Sequence, residues 1–353
     1  MTEVYKKFSP EKYEVHLMVD EEQDGLRLDQ FCQDFLLSLS RQQVKAKIKK
    51  GEVKIQGRPF PHKASVKVYH REIVEIFTPK GELEDEYWNG QKLDLSQKPE
   101  VLFEDDELLV IAKPPYMATH PTGTHLFNCA TVYFEQVYQS SIHSIHRLDR
   151  ETSGVLLLGK TPKGSQTYSQ YFEDNKISKI YFMIAHKNKD MPESFTASER
   201  LGEKENFVPR LFVHCFDEKS LDGKHAQTRF HKIAQNESYV LALARPITGR
   251  QHQIRSHAAH YGFPLLGDKI YNGDPSVFMR FKDKIATDAD HKLMQISRHA
   301  LHATALKTPY KGKSKIFKSP IPSDLQEWLN DNFKELTIEQ IELKISALVK
   351  EIF

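Results

Sequence analysis

Residues 146–154 read HRLDRETSG, a stretch that sets one carboxylate, Asp149, between Arg147 and Arg150 and follows it with Thr152, Ser153, Gly154 and an apolar run from Val155 to Leu158. Two readings fit those residue types. An aspartate flanked by arginines makes a salt-bridged turn. An aspartate delivered to the end of a strand makes a catalytic carboxylate, because loops on a rigid frame are where function concentrates. The hydroxyls of Thr152 and Ser153 can hydrogen-bond local backbone, and Gly154 permits a positive φ or the close approach of a ligand. Structural Arg–Asp pairs perturb carboxylates as catalytic sites do, so the stretch alone leaves both readings open.

A second stretch, TGRQHQIRSHAAHYGFPLLGDKIY, spans residues 248–271. Thr248 with Gln251 three positions on has the form of a capping box. It predicts a helix starting there, with Arg250, Ile254 and His257 on one face and Gln251 and Arg255 on a neighbouring one. Arg250 would then sit in the first turn, where free N–H groups suit phosphate. Arg255, a planar fork of donors on the helix interior, could clamp a carboxylate, or both arginines could face solvent. His252, His257 and His260 raise a metal site, but spacings of five and three with no acid in the helix match no common one.

The elements that must position these groups are legible in outline. The chain has 353 residues, enough for two or three units, and its three cysteines, Cys32, Cys129 and Cys215, suggest neither a disulfide framework nor a cysteine-rich zinc site. No uncharged apolar run approaches the ~18 residues of a membrane span, and the N-terminus has no signal core, so a cytoplasmic protein is expected. Net charge is +2, but it is unevenly spread: Arg41 to Arg71 holds ten Lys or Arg against Glu52, and Glu82 to Glu107 holds ten acids against Lys92 and Lys98. Adjoining blocks of opposite sign mark different units or a linker.

Within the basic block, Leu28, Phe31, Phe35 and Leu39 repeat at helical spacing, Ser40 offers an N-cap to a second helix and Gly51 closes it. EVKIQGR reads as a strand with Gly57 in the turn, and KVYHREIVEI as a returning strand. Arg41, Lys45, Lys49 and Lys50 fall on the second helix. This module, residues 25–77, resembles the small RNA-binding module first recognised in a ribosomal small-subunit protein; residues 1–24 read as an extension and 78–100 as an acidic linker. Beyond it, LLVIAK, GVLLLGK, KIYFMIA, YVLALARP and LHATAL look like strands, alternating irregularly with helical TVYFEQVYQS and GSQTYSQYFED. Irregular alternation favours an α+β fold with a mixed sheet. Ile341, Ile345, Leu348 and Ile352 mark an amphipathic helix in a C-terminal extension, 321–353.

HRLDRETSG, KIY, TGRQHQIRSH, GFPLLGD and RHALHA, in that order, with IAKPPYMATHP before them, resemble the RluA-type pseudouridine synthase family over about residues 100–320. The resemblance implies a catalytic domain over 101–320 with a largely antiparallel central sheet and flanking helices. It makes Asp149 the catalytic aspartate. It makes Tyr181 the tyrosine that stacks on the target uracil and handles a proton at carbon five, and Arg255 the arginine that pairs with the aspartate. Arg147 matches a position that contacts RNA near the flipped nucleotide, and Lys179 supports the site. Glu151 departs from the family, where aspartate is commoner. The chemistry needs no cofactor or metal. The implied partner is RNA, with large-subunit ribosomal RNA favoured and transfer RNA the alternative, and with Arg147, Arg250, Arg41, Lys45, Lys49 and Lys50 on the RNA side. A fold kept without the reaction would leave an RNA-binding protein; the company of Asp149, Tyr181 and Arg255 argues against that.

Overall fold

The computed structural model describes residues 2–8, 12–36, 39–79, 85–122, 125–205 and 211–353. The chain divides into two compact units, residues 1–85 with 120–142, and residues 86–119 with 143–353.

The first unit contains Thr2–Phe8 (β1), Lys12–Met18 (β2), Leu28–Phe35 (α1), Arg41–Lys50 (α2), Val53–Ile55 (β3), Ile73–Pro79 (β4) and Ala130–Tyr138 (α3). Its sheet runs in the order β1-β2-β4-β3 with antiparallel neighbours. On β2 the residues Tyr13, Val15 and Leu17 alternate inward and join Phe31, Val44, Ile48, Val53, Ile55, Val74 and Ile76 in one core. The described part of residues 1–24 is therefore not an appendage: β2 pairs with β4 along its whole length. Its period-2 pattern is short and flanked by charges, so the sequence alone predicts no strand there. The returning strand begins only at Ile73, because Arg71 at φ 69° turns the chain and the Glu72 N–H closes that turn onto the Tyr69 carbonyl.

The α2 helix starts at Ser40 through a reciprocal cap with Gln43 and ends at Gly51, φ 81°. Arg41, Lys45, Lys49 and Lys50 are all exposed on it. Buried Asp29 accepts a fork from Arg27, at 2.9 and 3.1 Å, with Arg41 at 3.4 Å and Lys45 at 3.9 Å. That carboxylate keeps two of the helix cations aligned on one face.

The second unit contains Tyr87–Trp88 (β5), Gln91–Lys92 (β6), Glu100–Glu104 (β7), Leu108–Lys113 (β8), His143–Ser144 (β9), Ser153–Gly159 (β10), Pro162–Glu173 (α4), Ser178–His186 (β11), Ser194–Ala197 (β12), Arg200–Gly202 (β13) and His214–Phe216 (β14). There follow Thr228–Gln235 (β15), Tyr239–Pro246 (β16), Gln253–His260 (α5), Pro275–Lys282 (α6), Asp288–Met294 (α7), Leu301–Tyr310 (β17), Lys313–Lys318 (β18), Ser323–Asn332 (α8) and Ile338–Ile352 (α9). Among the described residues ten strands form one sheet, β12-β15-β16-β11-β17-β10-β8-β7, with β18 on β17 and β9 on β10. The β10–β17 pair is parallel and its other pairings are antiparallel, the mixed and largely antiparallel sheet of an α+β fold.

Two boundaries differ from expectation. Part of the expected linker is packed structure: Trp88 stacks on Phe281 at 6.0 Å and meets His291 edge-on at 4.6 Å, and Glu86 pairs with Arg150 at 2.8 Å. Residues 80–84 of that stretch lie outside the described residues. The helices α8 and α9 share one core with the sheet, where Ile341, Ile345 and Val349 pack with Ile180, Phe182 and Leu243. An amphipathic stripe of this kind is buried because the sheet face it covers would otherwise expose apolar surface.

Gly154 has φ 107°, and a Cβ there would lie 2.3 Å from the Ala303 carbonyl oxygen. What approaches Gly154 is thus the neighbouring strand β17 rather than a ligand. Gly154→Ala is expected to cost about 2–4 kcal/mol through strained backbone and overpacking. Chemical denaturation checks this, and an unchanged midpoint would contradict it.

Candidate active site

Registered strand pairs set the site. Gly154 of β10 faces Ala303 of β17, Ala303 faces Tyr181 of β11, and Tyr181 faces Ala244 of β16. Residues in register share a face, so Tyr181 is flanked by small side chains in a row across the sheet. Asp149 lies in the loop between β9 and β10, just before Gly154 in that row. The loop folds on itself where the Thr152 N–H reaches the Asp149 carbonyl at 3.0 Å.

Buried groups on several elements hold the loop. Lys113 Nζ, at the end of β8, donates to the carbonyls of Met117 and Arg150 at 2.8 and 3.2 Å. Fully buried Arg298 donates to the Glu151 carbonyl at 3.2 Å. Glu151 itself accepts from Lys269 Nζ at 2.8 Å and from the His299 N–H at 3.0 Å. The Thr152 and Ser153 hydroxyls meet His299 and His302 at 2.8 and 2.9 Å, not the local backbone. They fasten the loop and strand to the stretch 299–302.

At the centre is Arg255. Its Nη1 donates to Asp149 Oδ2 at 3.2 Å, while Nε and Nη2 form a fork onto Asp268 at 2.7 and 2.8 Å. The Asp268 carboxylate also accepts from the N–H groups of Ile270 and Tyr271, at 3.0 and 3.2 Å. The guanidinium lies over the Tyr271 ring, 5.3 Å from its centroid. Burial works to raise the pKa of Asp268, but the charge and hydrogen bonds of Arg255 overcome it and bring it down to about 2. Burial likewise opposes ionisation of Asp149, and Arg255 again prevails, holding this carboxyl below its usual value. Among the described residues Asp149 Oδ1 accepts no hydrogen bond, and the side chain is 30% exposed.

Burial, and then the charge of Asp149, raise the Tyr181 phenol above its ordinary value, so at neutral pH it keeps its proton. Lys179, two residues earlier, is brought by burial to about 8, with its ammonium over the Phe172 ring at 5.3 Å. An ionised, accessible carboxylate beside a protonated phenol can supply a nucleophile and a proton donor.

The structure brings Asp149, Tyr181 and Arg255 together. Arg147 is exposed two residues from Asp149. Arg250 is not in a helical first turn, because β16 runs to Pro246, the chain reverses over residues 247–252 and α5 begins only at Gln253. Its Nε donates to the His225 carbonyl at 3.0 Å. The Thr248–Gln251 cap is replaced by Gln253, whose Oε1 accepts from the Thr248 hydroxyl at 2.7 Å and the Arg250 N–H at 2.9 Å. Of the three histidines, His252 meets Tyr271, His257 meets Thr228 and the Glu199 carbonyl, and His260 lies 3.9 Å from the Glu199 carboxylate. The sequence assigns no role to Asp268 or Tyr271 and does not join Glu151 to Lys269 and His299. For Asp268 a signal existed, an acid directly after Gly267, whose φ is 71°.

Removing Asp268 leaves part of a buried guanidinium unpaired, so Asp268→Asn is expected to cost about 3–5 kcal/mol. The folded pKa of Asp268 lies below the unfolded value of about 3.9, so its contribution is present above that pH and fades as pH falls toward 2. Urea unfolding of the two proteins should give a difference that narrows over that range. A difference independent of pH would contradict the pairing.

The RNA pseudouridylate synthase family model matches residues 107–260, a range that contains Asp149, Tyr181 and Arg255. The ribosomal large subunit pseudouridine synthase D of Haemophilus influenzae is 30% identical over 320 residues, 88% of this chain and 93% of that protein. The mitochondrial tRNA pseudouridine(32) synthase of Saccharomyces cerevisiae is 35% identical over 182 residues, 51% of this chain and 38% of that protein. Human RNA pseudouridylate synthase domain containing 4 shares the fold, with a TM-score of 0.53 at 21% identity, over 65% of this chain and 92% of that one. With a family-wide match across nearly the full length of a relative, and a sheet that carries the HRLD loop to its centre, the chain belongs to the RNA pseudouridylate synthase family.

Proposed function

We propose that this protein isomerises uridines to pseudouridines in large-subunit ribosomal RNA, with Asp149 as nucleophile. The observation that carries the assignment of roles is the shared guanidinium. Arg255 is fixed by a fork to Asp268 and spends one remaining N–H on Asp149, so Asp149 stays ionised while Oδ1 is left free. Ribosomal RNA is favoured because the large-subunit relative aligns with 88% of the chain. Transfer RNA is the second reading, supported by the name of the yeast relative. No helix among the described residues is long and apolar enough to cross a membrane, and a cytoplasmic site of action fits that reading.

In the isomerisation the N1–C1′ bond breaks, a C5–C1′ bond forms, the C5 proton leaves and N1 gains one. Asp149 can attack either C6 of the ring or C1′ of the sugar, and both routes use the same free oxygen. Tyr181 supplies an aromatic neighbour for the base. While Asp149 is charged the phenol holds its proton; once the carboxylate becomes an ester that charge is gone, and the phenol can pass its proton to N1 and, as phenolate, take the proton from C5. Flipping the uridine costs a few kcal/mol, which phosphate contacts offset. Arg147 in the same loop as Asp149 and the exposed cations of α2 are suited to those contacts.

Incubated with transcripts of large-subunit ribosomal RNA labelled with tritium at uridine C5, the wild type should release tritium, and Asp149→Asn should fall to background. Equal release from the variant would overturn the assignment. Replacing Arg41, Lys45 and Lys49 together by alanine should lower the slope of log affinity against log salt by about 2–3. The turnover at saturating RNA should not change. An unaltered salt slope would remove α2 from the RNA interface.

A further inference from the structure

His252 is a residue that the roles above leave unused. It caps α5 at φ 52°, a left-handed conformation uncommon for a residue with a Cβ, and its half-buried imidazole meets Tyr271, the ring over which the Arg255 guanidinium lies. His252 and Asp149 lie close enough for each to shift the other's ionisation. Burial, followed by the charge of Arg255, brings His252 down to about 4, against the pull of Asp149 and Asp268, so the ring is neutral under working conditions.

A neutral imidazole carries one N–H, and its neighbours decide which nitrogen bears it. The Tyr271 hydroxyl lies 3.2 Å from Nδ1. That hydroxyl accepts from the Val213 N–H at 3.0 Å, so it has its own proton to give. The Val213 carbonyl, 3.3 Å away, already takes the Ser256 hydroxyl at 2.8 Å. Of the two acceptors within reach Nδ1 is the nearer, 3.2 against 3.3 Å, and the one that no other donor shares; with the Tyr271 proton there the imidazole hydrogen sits on Nε2. Among the described residues Nε2 makes no hydrogen bond. In that tautomer an unused donor stands one ring away from the Arg255–Asp149 pair, since Tyr271 touches both His252 and the Arg255 guanidinium.

We propose that His252 Nε2–H donates a hydrogen bond to a carbonyl oxygen of the flipped uracil, with Tyr271 acting as a positioning residue that holds the tautomer. This rests on the pseudouridine synthase reading. Attack at C6 places negative charge on the C4 carbonyl, and departure of the base from C1′ spreads it over both carbonyls, so a donor at one of them stabilises either transition state. Three of the five N–H groups of Arg255 are engaged by Asp268 and Asp149, and the fork onto Asp268 fixes where the other two point, so this guanidinium cannot swing to follow the base.

The test measures single-turnover rates and RNA affinity for wild type, His252→Phe and His252→Gln, on uridine RNA and on RNAs carrying 2-thiouridine or 4-thiouridine at the target position. Each replacement keeps a Cβ at the left-handed position, so the backbone cost is shared. His252→Phe should lose about tenfold to a hundredfold in rate, within the range for one lost donor to a developing charge, with RNA affinity changed less than about threefold. His252→Gln, which can place an amide N–H near the same point, should recover part of the rate. One thio-substrate should slow the wild type and not slow His252→Phe further, because sulfur is the poorer acceptor. Full activity in His252→Phe, a loss seen only in RNA affinity, or additive losses on both thio-substrates would each overturn the proposal. A wild type inactive on all RNAs would instead overturn the functional reading.

Discussion

One guanidinium between two carboxylates organises the catalytic unit. Arg255 gives a two-point fork to buried Asp268 and a single longer contact to Asp149. A fork fixes a planar group in direction as well as distance, so the contact to Asp149 is aimed rather than adaptable. The unequal sharing matters chemically. A full fork on Asp149 would occupy both oxygens, and no cation at all would let burial neutralise the acid. One hydrogen bond keeps it charged and leaves an oxygen for reaction.

The rest of the unit holds the two ends of that arrangement. On one side, Lys113, Arg298 and the Glu151–Lys269–His299 cluster fasten the loop that carries Asp149. On the other, Gln253, Ser256 and His257 pin α5 to neighbouring backbone and to Thr228, which fixes the base of Arg255. Between them Gly154 and Ala303 bring β10 against β17 so closely that no Cβ fits at position 154, and the same row runs on to Tyr181. The sheet therefore measures the separation of carboxylate and phenol. Glu151, unusual for the family resemblance, reaches both Lys269 and the His299 backbone, so the longer acid still closes the loop.

The sequence was most informative where several motifs keep company. HRLDRETSG alone favours a salt-bridged turn over a catalytic acid without deciding between them, and its partner Arg255 lies 106 residues away, beyond any local pattern. The strands with continuous apolar runs, β8, β10, β11, β16 and β17, were legible because buried strands read that way. The start of α5 was not, since Thr248 and Gln251 satisfy a capping pattern that the reversal after β16 overrides. Asp268 was invisible as a partner: an acid in a turn has no periodicity, and its role exists only once α5 places Arg255 against it. The basic helix was legible through Ser40, Gly51 and its lysines, whereas β2, which completes that unit's sheet, was not.

The central claim is that Arg255, oriented by Asp268, keeps Asp149 ionised in a site whose burial works against ionisation. Carboxyl carbon-13 NMR of aspartate-labelled protein, with the Asp149 signal assigned from its loss in Asp149→Asn, measures this directly. The account predicts that Asp149 titrates below the ordinary aspartate value of about 3.9. Titration at or above that value would contradict it.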